Sequence, residues 1–233
     1  MNIALLGYGK MGKVIEAIAI ERGHNVVLKV TNETGAYNLN DVDVAIDFSV
    51  PSAAVENISN CLNNSIPVVS GTTGWLEHYQ DMVKLCHVNN GSFLYASNFS
   101  IGVNIFFEIN KRLSQLMTDH VNYKASIEEI HHTQKLDAPS GTAITLAETI
   151  LTNTNYKKWS LEPKHSDELP IIAKRIENVP GTHEVSYVSE IDSISIKHTA
   201  HSRQGFGLGA VIAAEWIVDK KGVFSMKDVL NIG

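Results

Sequence analysis

Three features of the chain predict an α/β fold. Strand-like apolar runs alternate with helical patterns over residues 1–101, a glycine-rich turn follows the first run, and period-two alternation takes over between residues 171 and 199. Together they predict a Rossmann-like parallel-sheet domain with an inserted α+β domain built on a mixed or antiparallel sheet.

Asn2-Ile3-Ala4-Leu5-Leu6 reads as a short buried strand that stops at Gly7. Met11, Val14, Ile15 and Ile18 then recur at helical spacing, and Gly23 closes that helix. Val26–Leu28 and Val42–Ile46 read as the next strands, and a helix over about Ala53–Leu62 leads to a strand at Ile66–Val69. A Leu76–Val88 helix and a Phe93–Tyr95 strand complete this half. A long amphipathic helix follows over about Val103–Met117, then a strand over Tyr123–Ile130 and a second helix after Ser140. Residues 153–170, rich in Asn, Lys and Pro, read as a connecting loop, and alternation at 184–188 and 193–196 predicts antiparallel strands. An apolar helix over Gly209–Val218 returns toward the start. The expected division is therefore residues 1–101 with 210–233 as a dinucleotide domain, and 102–209 as a domain for substrate binding and oligomerisation.

Composition excludes several classes. At 233 residues the chain can bury one or two cores, and its 44% hydrophobic and 19% charged content is that of a soluble globular protein. The net charge of −6 argues against a nucleic-acid partner. No apolar run is long enough to span a membrane, and no secretion leader is recognised. Cys61 and Cys86 fit no metal or redox spacing and read as reduced, buried thiols of a cytoplasmic protein.

Gly7-Tyr8-Gly9-Lys10-Met11-Gly12 matches the dinucleotide fingerprint directly after a strand and at the opening of a helix. The first glycine permits the turn, the second admits a pyrophosphate to the backbone, and the third lets helix and strand pack closely. No carboxylate stands squarely at the end of the second strand, where Lys29, Thr31 and Asn32 can tolerate a 2′-phosphate. NADPH is therefore expected to serve at least as well as NADH. Three further loops lie at strand ends: Asp47–Pro51, Gly71-Thr72-Thr73-Gly74, and Ala96-Ser97-Asn98-Phe99-Ser100. The second can offer hydroxyls and amides to a ribose or nicotinamide, or be a turn and helix cap. Asn98 reads equally as an Asx-turn residue and Phe99 as core.

The segment from Glu128 to Ala143 concentrates chemistry. His131 and His132 are neighbours that point to opposite sides of a strand, which disfavours a chelate, so no metal is expected. Either imidazole can donate a proton near neutrality, and Lys135 supplies positive charge for a carboxylate or a developing anion. Asp137-Ala138-Pro139-Ser140-Gly141-Thr142 then turns into a helix whose start suits a carboxylate. Arg203, in a second basic loop over Ser202–Phe206, either closes on substrate or cofactor or bridges the domains.

These motifs, in this order, resemble the dihydrodipicolinate reductase family over nearly the whole chain. The likeness rests on the glycine turn, Asp47-Phe48-Ser49, Gly71–Gly74, Asn98–Asn104, the His131-to-Thr142 run, Arg175, Gly181-Thr182-His183, Ser202-Arg203 and Gly222–Met226. It implies NAD(P)H-dependent reduction of a cyclic unsaturated dicarboxylate to tetrahydrodipicolinate, in the diaminopimelate route to lysine. It further implies His131 as proton donor, Lys135 as second acid or electrostatic group, and His132 with Ser140, Gly141 and Thr142 at the substrate carboxylates. A homotetramer formed through the second domain's sheet is the implied assembly. The glycine turn is one residue shorter than the family's common Gly-x-x-Gly-Arg-Met-Gly form, Lys10 stands where arginine is usual, and Ser97 replaces a frequent proline. These departures bear on cofactor preference. Two rival readings are a dehydrogenase of another small amino or keto acid, which needs no His-His-x-x-Lys segment, and a non-catalytic NAD(P) sensor.

Overall fold

A computed structural model describes residues 1–232, which divide into two compact units, 1–101 with 204–232, and 102–203. The first holds a six-stranded parallel sheet: β1 (Asn2–Leu6), β2 (Asn25–Val30), β3 (Val44–Asp47), β4 (Val68–Ser70), β5 (Ser92–Tyr95) and β11 (Gly222–Phe224), in the order β11-β5-β4-β3-β1-β2. Its helices are α1 (Lys10–Glu21), α2 (Pro51–Asn63), α3 (Tyr79–Val88), α6 (Gln204–Ile217) and α7 (Met226–Leu230). One apolar cluster joins Ile3, Leu5, Ile15 and Phe99 to Ala210, Val211, Ala214 and Ile217 of α6. A second, on the opposite face, packs Ala4, Leu6, Ile58 and Leu62 with Trp75 and Phe93. Strand residues alternate between these two clusters, which is why β1 and β3 are buried along their length.

The second unit is a five-stranded mixed sheet, β6 (Lys124–His131), β7 (Lys158–Ser160), β8 (Glu168–Arg175), β9 (Gly181–Val188) and β10 (Ser193–Ala200), in the order β10-β9-β6-β8-β7. Helices α4 (Ile101–Leu116) and α5 (Gly141–Asn153) supply Phe106, Leu146, Ala147 and Ile150 to its core, against Ile127, Ile171, Val185 and Tyr187.

Several expectations need correction. Residues 153–170 are not all loop: α5 runs to Asn153, β7 crosses 158–160, and β8 begins at Glu168. The segments 184–188 and 193–196 do pair antiparallel, in β9 and β10, while β8 runs parallel to β6. The α5 helix between them supplies the crossover that parallel pairing needs. The strand expected from Val42 starts at Val44, β2 is longer than expected, and β11 was not anticipated. The last long helix opens at Gln204, so the first unit regains the chain there rather than at 210, and Gln204–Phe206 is helix rather than loop. Among the described residues, no helix is long and apolar enough to cross a membrane. Both cysteines are free and buried.

Candidate active site

The catalytic candidates sit where β6 and β8 end side by side. His131 is the last residue of β6, and its register partner across the parallel pair is Arg175, the last of β8. Alternate residues of a strand share a face, so Glu129 lies on the same side as His131, and its antiparallel partner on β9 is His183. The sheet thus gathers Glu129, His131, Arg175 and His183 into one cluster.

Glu129 is fully buried, with one carboxylate oxygen on Nδ1 of His131 and the other accepting from Arg175 Nη1 at 3.0 Å. Burial alone would raise its pKa, but the hydrogen bonds from His131 and Arg175 outweigh this and hold it below the ordinary value. An ionised carboxylate only accepts, so the network assigns the Nδ1 proton to the His131–Glu129 bond and leaves Nε2 as the exchanging nitrogen. His183 is 5% exposed and lies 5.0 Å from His131 between ring centroids. Its burial, reinforced by the His131 charge, lowers its pKa to about 4. Glu129, His131 and His183 bring metal-ligand atoms within 4.8 Å of one another. The Glu129 carboxylate is already taken by His131 and Arg175, and the guanidinium on it opposes a cation there.

Lys135 follows in the loop, its amide bonded to the His132 carbonyl at 3.1 Å and its ammonium on Asp137 at 2.7–2.8 Å. That bond holds Asp137 below its usual pKa. Nδ1 of His132 is buried without a hydrogen-bond partner among the described residues. Ser140 caps α5, its hydroxyl accepting from the Ala143 amide at 3.2 Å and pairing with Nε2 of His183 at 2.9 Å. Its side chain is therefore committed to the cap, and the helix start offers the N–H groups of Gly141 and Thr142 instead. The first intrahelical bond is Ile144 N–H to Ser140 O, and no acidic residue stands in that first turn. Arg203 is exposed, immediately ahead of α6.

In the other unit the glycine turn fits a dinucleotide. Gly7 has φ +99°, and a Cβ there would lie 2.2 Å from the Phe48 carbonyl oxygen. A Cβ on Gly12 would stand 2.6 Å from the Gly7 oxygen, whereas one on Gly9 would meet nothing within 4 Å. The open space is at the second glycine, the place a pyrophosphate takes, and the first turn of α1 carries no acidic residue. Lys10 is exposed and Met11 half-buried beside it.

Other predicted contacts are less available than expected. Lys29 is ion-paired to Glu16, which also accepts from the Tyr8 hydroxyl, and its ammonium lies 4.9 Å from the Tyr8 ring centroid. Thr31 is exposed in a side-chain turn with Thr34, whose hydroxyl accepts the Thr31 amide at 2.8 Å. A groove of about 900 Å³ runs between this segment and α2, lined by Thr31, Asn32, Tyr37, Ser52, Glu56 and Asn60 among others. Thr72 is buried, its hydroxyl accepting from the Ser49 amide and its carbonyl from the Trp75 indole, while Thr73 is exposed. Gly71 lies against the Phe48 ring. Ala96 is half-buried and Ser97 exposed; Asn98 accepts from the Ser100 amide in an Asx turn, and Phe99 is core, packed on Phe48.

Beneath these loops lies Asp47, fully buried and accepting from Ser49, Asn57 and Ser70 at 2.6–3.1 Å. Burial raises its pKa against the pull of those bonds. The role of Glu129 was not foreseen. The available signal was strand alternation, which puts Glu129 on the inward face with Ala125 and Ile127.

The family models "Dihydrodipicolinate reductase, N-terminus" and "Dihydrodipicolinate reductase, C-terminus" match residues 1–99 and 102–230. A 4-hydroxy-tetrahydrodipicolinate reductase of Christiangramia forsetii is 58% identical, covering 99% of this chain and 98% of its own. One from Methanocaldococcus jannaschii is 34% identical over 98% of this chain and 81% of its own. In fold, the chain is similar to the dipicolinate-bound dihydrodipicolinate reductase of Paenisporosarcina sp. TG-14, with a TM-score of 0.77 at 24% identity and 97% of each chain covered.

Proposed function

The chain belongs to the dihydrodipicolinate reductase family, and on that premise we propose how its residues divide the work. It is an NAD(P)H-dependent oxidoreductase that reduces 4-hydroxy-tetrahydrodipicolinate to tetrahydrodipicolinate, the 4-hydroxyl leaving as water, in the diaminopimelate route to lysine.

The observation that carries the assignment of roles is the buried Glu129–His131 pair set beside a lysine and an uncompensated helix start. When bound, the reduced nicotinamide supplies the hydride. His131 gives the proton that balances the new negative charge, from Nε2, while Glu129 retains the Nδ1 proton. Lys135 stabilises that charge, exchanging Asp137 for the anionic substrate. The Gly141 and Thr142 amides and the orphaned Nδ1 of His132 take the substrate carboxylates, and Arg203 supplies further positive charge. Gly7, Gly9 and Gly12 cradle the pyrophosphate, and the groove beside Thr31 takes the adenosine.

Both NADH and NADPH serve. Glu33 stands past the strand end and is exposed, so no carboxylate is fixed there to repel a 2′-phosphate; Lys29, the cation nearest in sequence, is held by Glu16. Self-association, as a tetramer, is supported by the exposed apolar groups Ile172, Val188 and Ile194 on the second sheet. Free buried thiols fit a cytoplasmic setting.

Turnover of freshly generated 4-hydroxy-tetrahydrodipicolinate, followed by loss of reduced-nicotinamide absorbance, tests these roles with wild type beside Lys135→Ala. Loss of kcat with unchanged cofactor affinity is expected. Loss of NADPH binding instead would move Lys135 to the cofactor.

A further inference from the structure

We propose that Arg175 is a positioning residue for the reduction, one guanidinium that fixes both the His131 ring and the loop bearing Lys135. The proposal rests on the roles given above to those two residues. Arg175 is the register partner of His131, so its side chain starts from the same sheet position and the same face. Its Nη1 donates to Glu129 at 3.0 Å, and the other oxygen of that carboxylate holds Nδ1 of His131. Its Nε donates to the Lys135 carbonyl at 3.2 Å, and its Nη2 to the Asp137 carbonyl at 2.6 Å. A further Nη1 bond, at 2.8 Å, returns to the carbonyl of Lys174.

These bonds join parts that belong to different elements. Glu129 and His131 belong to β6, whereas Lys135 and Asp137 stand on the loop between β6 and α5. A guanidinium is planar, and its donors diverge at fixed angles, so it can hold a carboxylate on one edge and two loop carbonyls on others. A lysine ammonium would keep the charge opposite Glu129 but not that fork. Charge neutralisation alone therefore predicts that lysine is a sufficient replacement, and positioning predicts that it is not.

The test is a double-mutant cycle between Arg175→Lys and Lys135→Ala, measuring kcat, KM and, separately, NADH dissociation by fluorescence. Arg175→Lys alone is expected to lower kcat about tenfold to a hundredfold, with the NADH dissociation constant unchanged, since misplacement of reacting groups by about 1 Å can cost that much. In the Lys135→Ala background the same substitution should cost much less, because one of the groups it positions is already gone. Full activity in Arg175→Lys, or a loss that simply multiplies that of Lys135→Ala, would overturn positioning. Unchanged kcat in Lys135→Ala would instead overturn the reading of the site, and the proposal with it. Should Arg175→Lys fail to fold, as judged by circular dichroism, Glu129→Asp gives the second arm. Retracting that carboxylate by one methylene should lower kcat with NADH affinity intact, and wild-type kcat would contradict the proposal.

Discussion

His131 and His183 stand edge to face on the neighbouring strands β6 and β9, with an interplanar angle of 70°. Two imidazolium ions at that separation would repel, and the surroundings resolve the conflict by making the two rings unequal. His131 faces a buried carboxylate, while His183 faces the Ser140 hydroxyl and is held neutral.

This inequality predicts a pH-dependent stability. The His183 pKa falls from 6.5 to about 4 on folding, so the unfolded chain binds more protons between those values. Stability therefore drops as pH falls from 6.5 to 4, by about 3 kcal/mol from this residue. Urea melts across that range should show a shallower slope in His183→Gln. Glu129, whose pKa is lowered, adds its own loss only below its unfolded value of 4.5.

Gly181 closes over the exchanging nitrogen of His131. A Cβ there would stand 3.1 Å from Nε2, close enough to push the ring aside by a few tenths of an ångström. Gly181→Ala should lower kcat about tenfold while leaving NADH affinity at the wild-type value. An unchanged kcat would show that the ring tolerates displacement.

The three glycines of the turn should respond differently to alanine. Gly7→Ala collides with the Phe48 carbonyl and is strained at positive φ, so a loss of stability on the order of 3 kcal/mol or more is expected in thermal melts. Gly9→Ala meets nothing and should change stability by less than about 1 kcal/mol, yet weaken NADH and NADPH alike. Equal stability losses at both positions would contradict this account of the turn.

Cofactor choice follows from the Glu16–Lys29 ion pair. With Lys29 so held, kcat/KM for NADH and NADPH should differ by less than about tenfold. Steady-state kinetics with both nucleotides will decide it, and a strong preference either way would require a different contact near Thr31.

Local patterns were readable in the sequence where their physics is local. The Gly7–Gly12 turn, the cap at Ser140 and the buried runs of β1 and β3 each announce themselves within a few residues. Non-local pairing was readable in kind for the first sheet and the β9–β10 pair, but not for the short or mixed strands. β7 and β11 are three residues each, too short for a period, and β11 pairs with β5 from far along the chain. Parallel pairing of β8 to β6 leaves no mark on the alternation of either strand. The ion pair that makes the burial of Glu129 tolerable is not legible locally, since its arginine lies 46 residues away. Lys29 reads as an available group, and only the folded chain shows it held by Glu16 and the Ser140 hydroxyl paired with His183.

The most direct measurement is kcat for His131→Ala against wild type, with NADH dissociation constants measured on the same preparations. If His131 is the proton donor, kcat falls by roughly 10²–10⁴ while NADH binds as before. Wild-type kcat in that variant would remove His131 from the chemistry and with it the purpose assigned to Glu129 and Arg175.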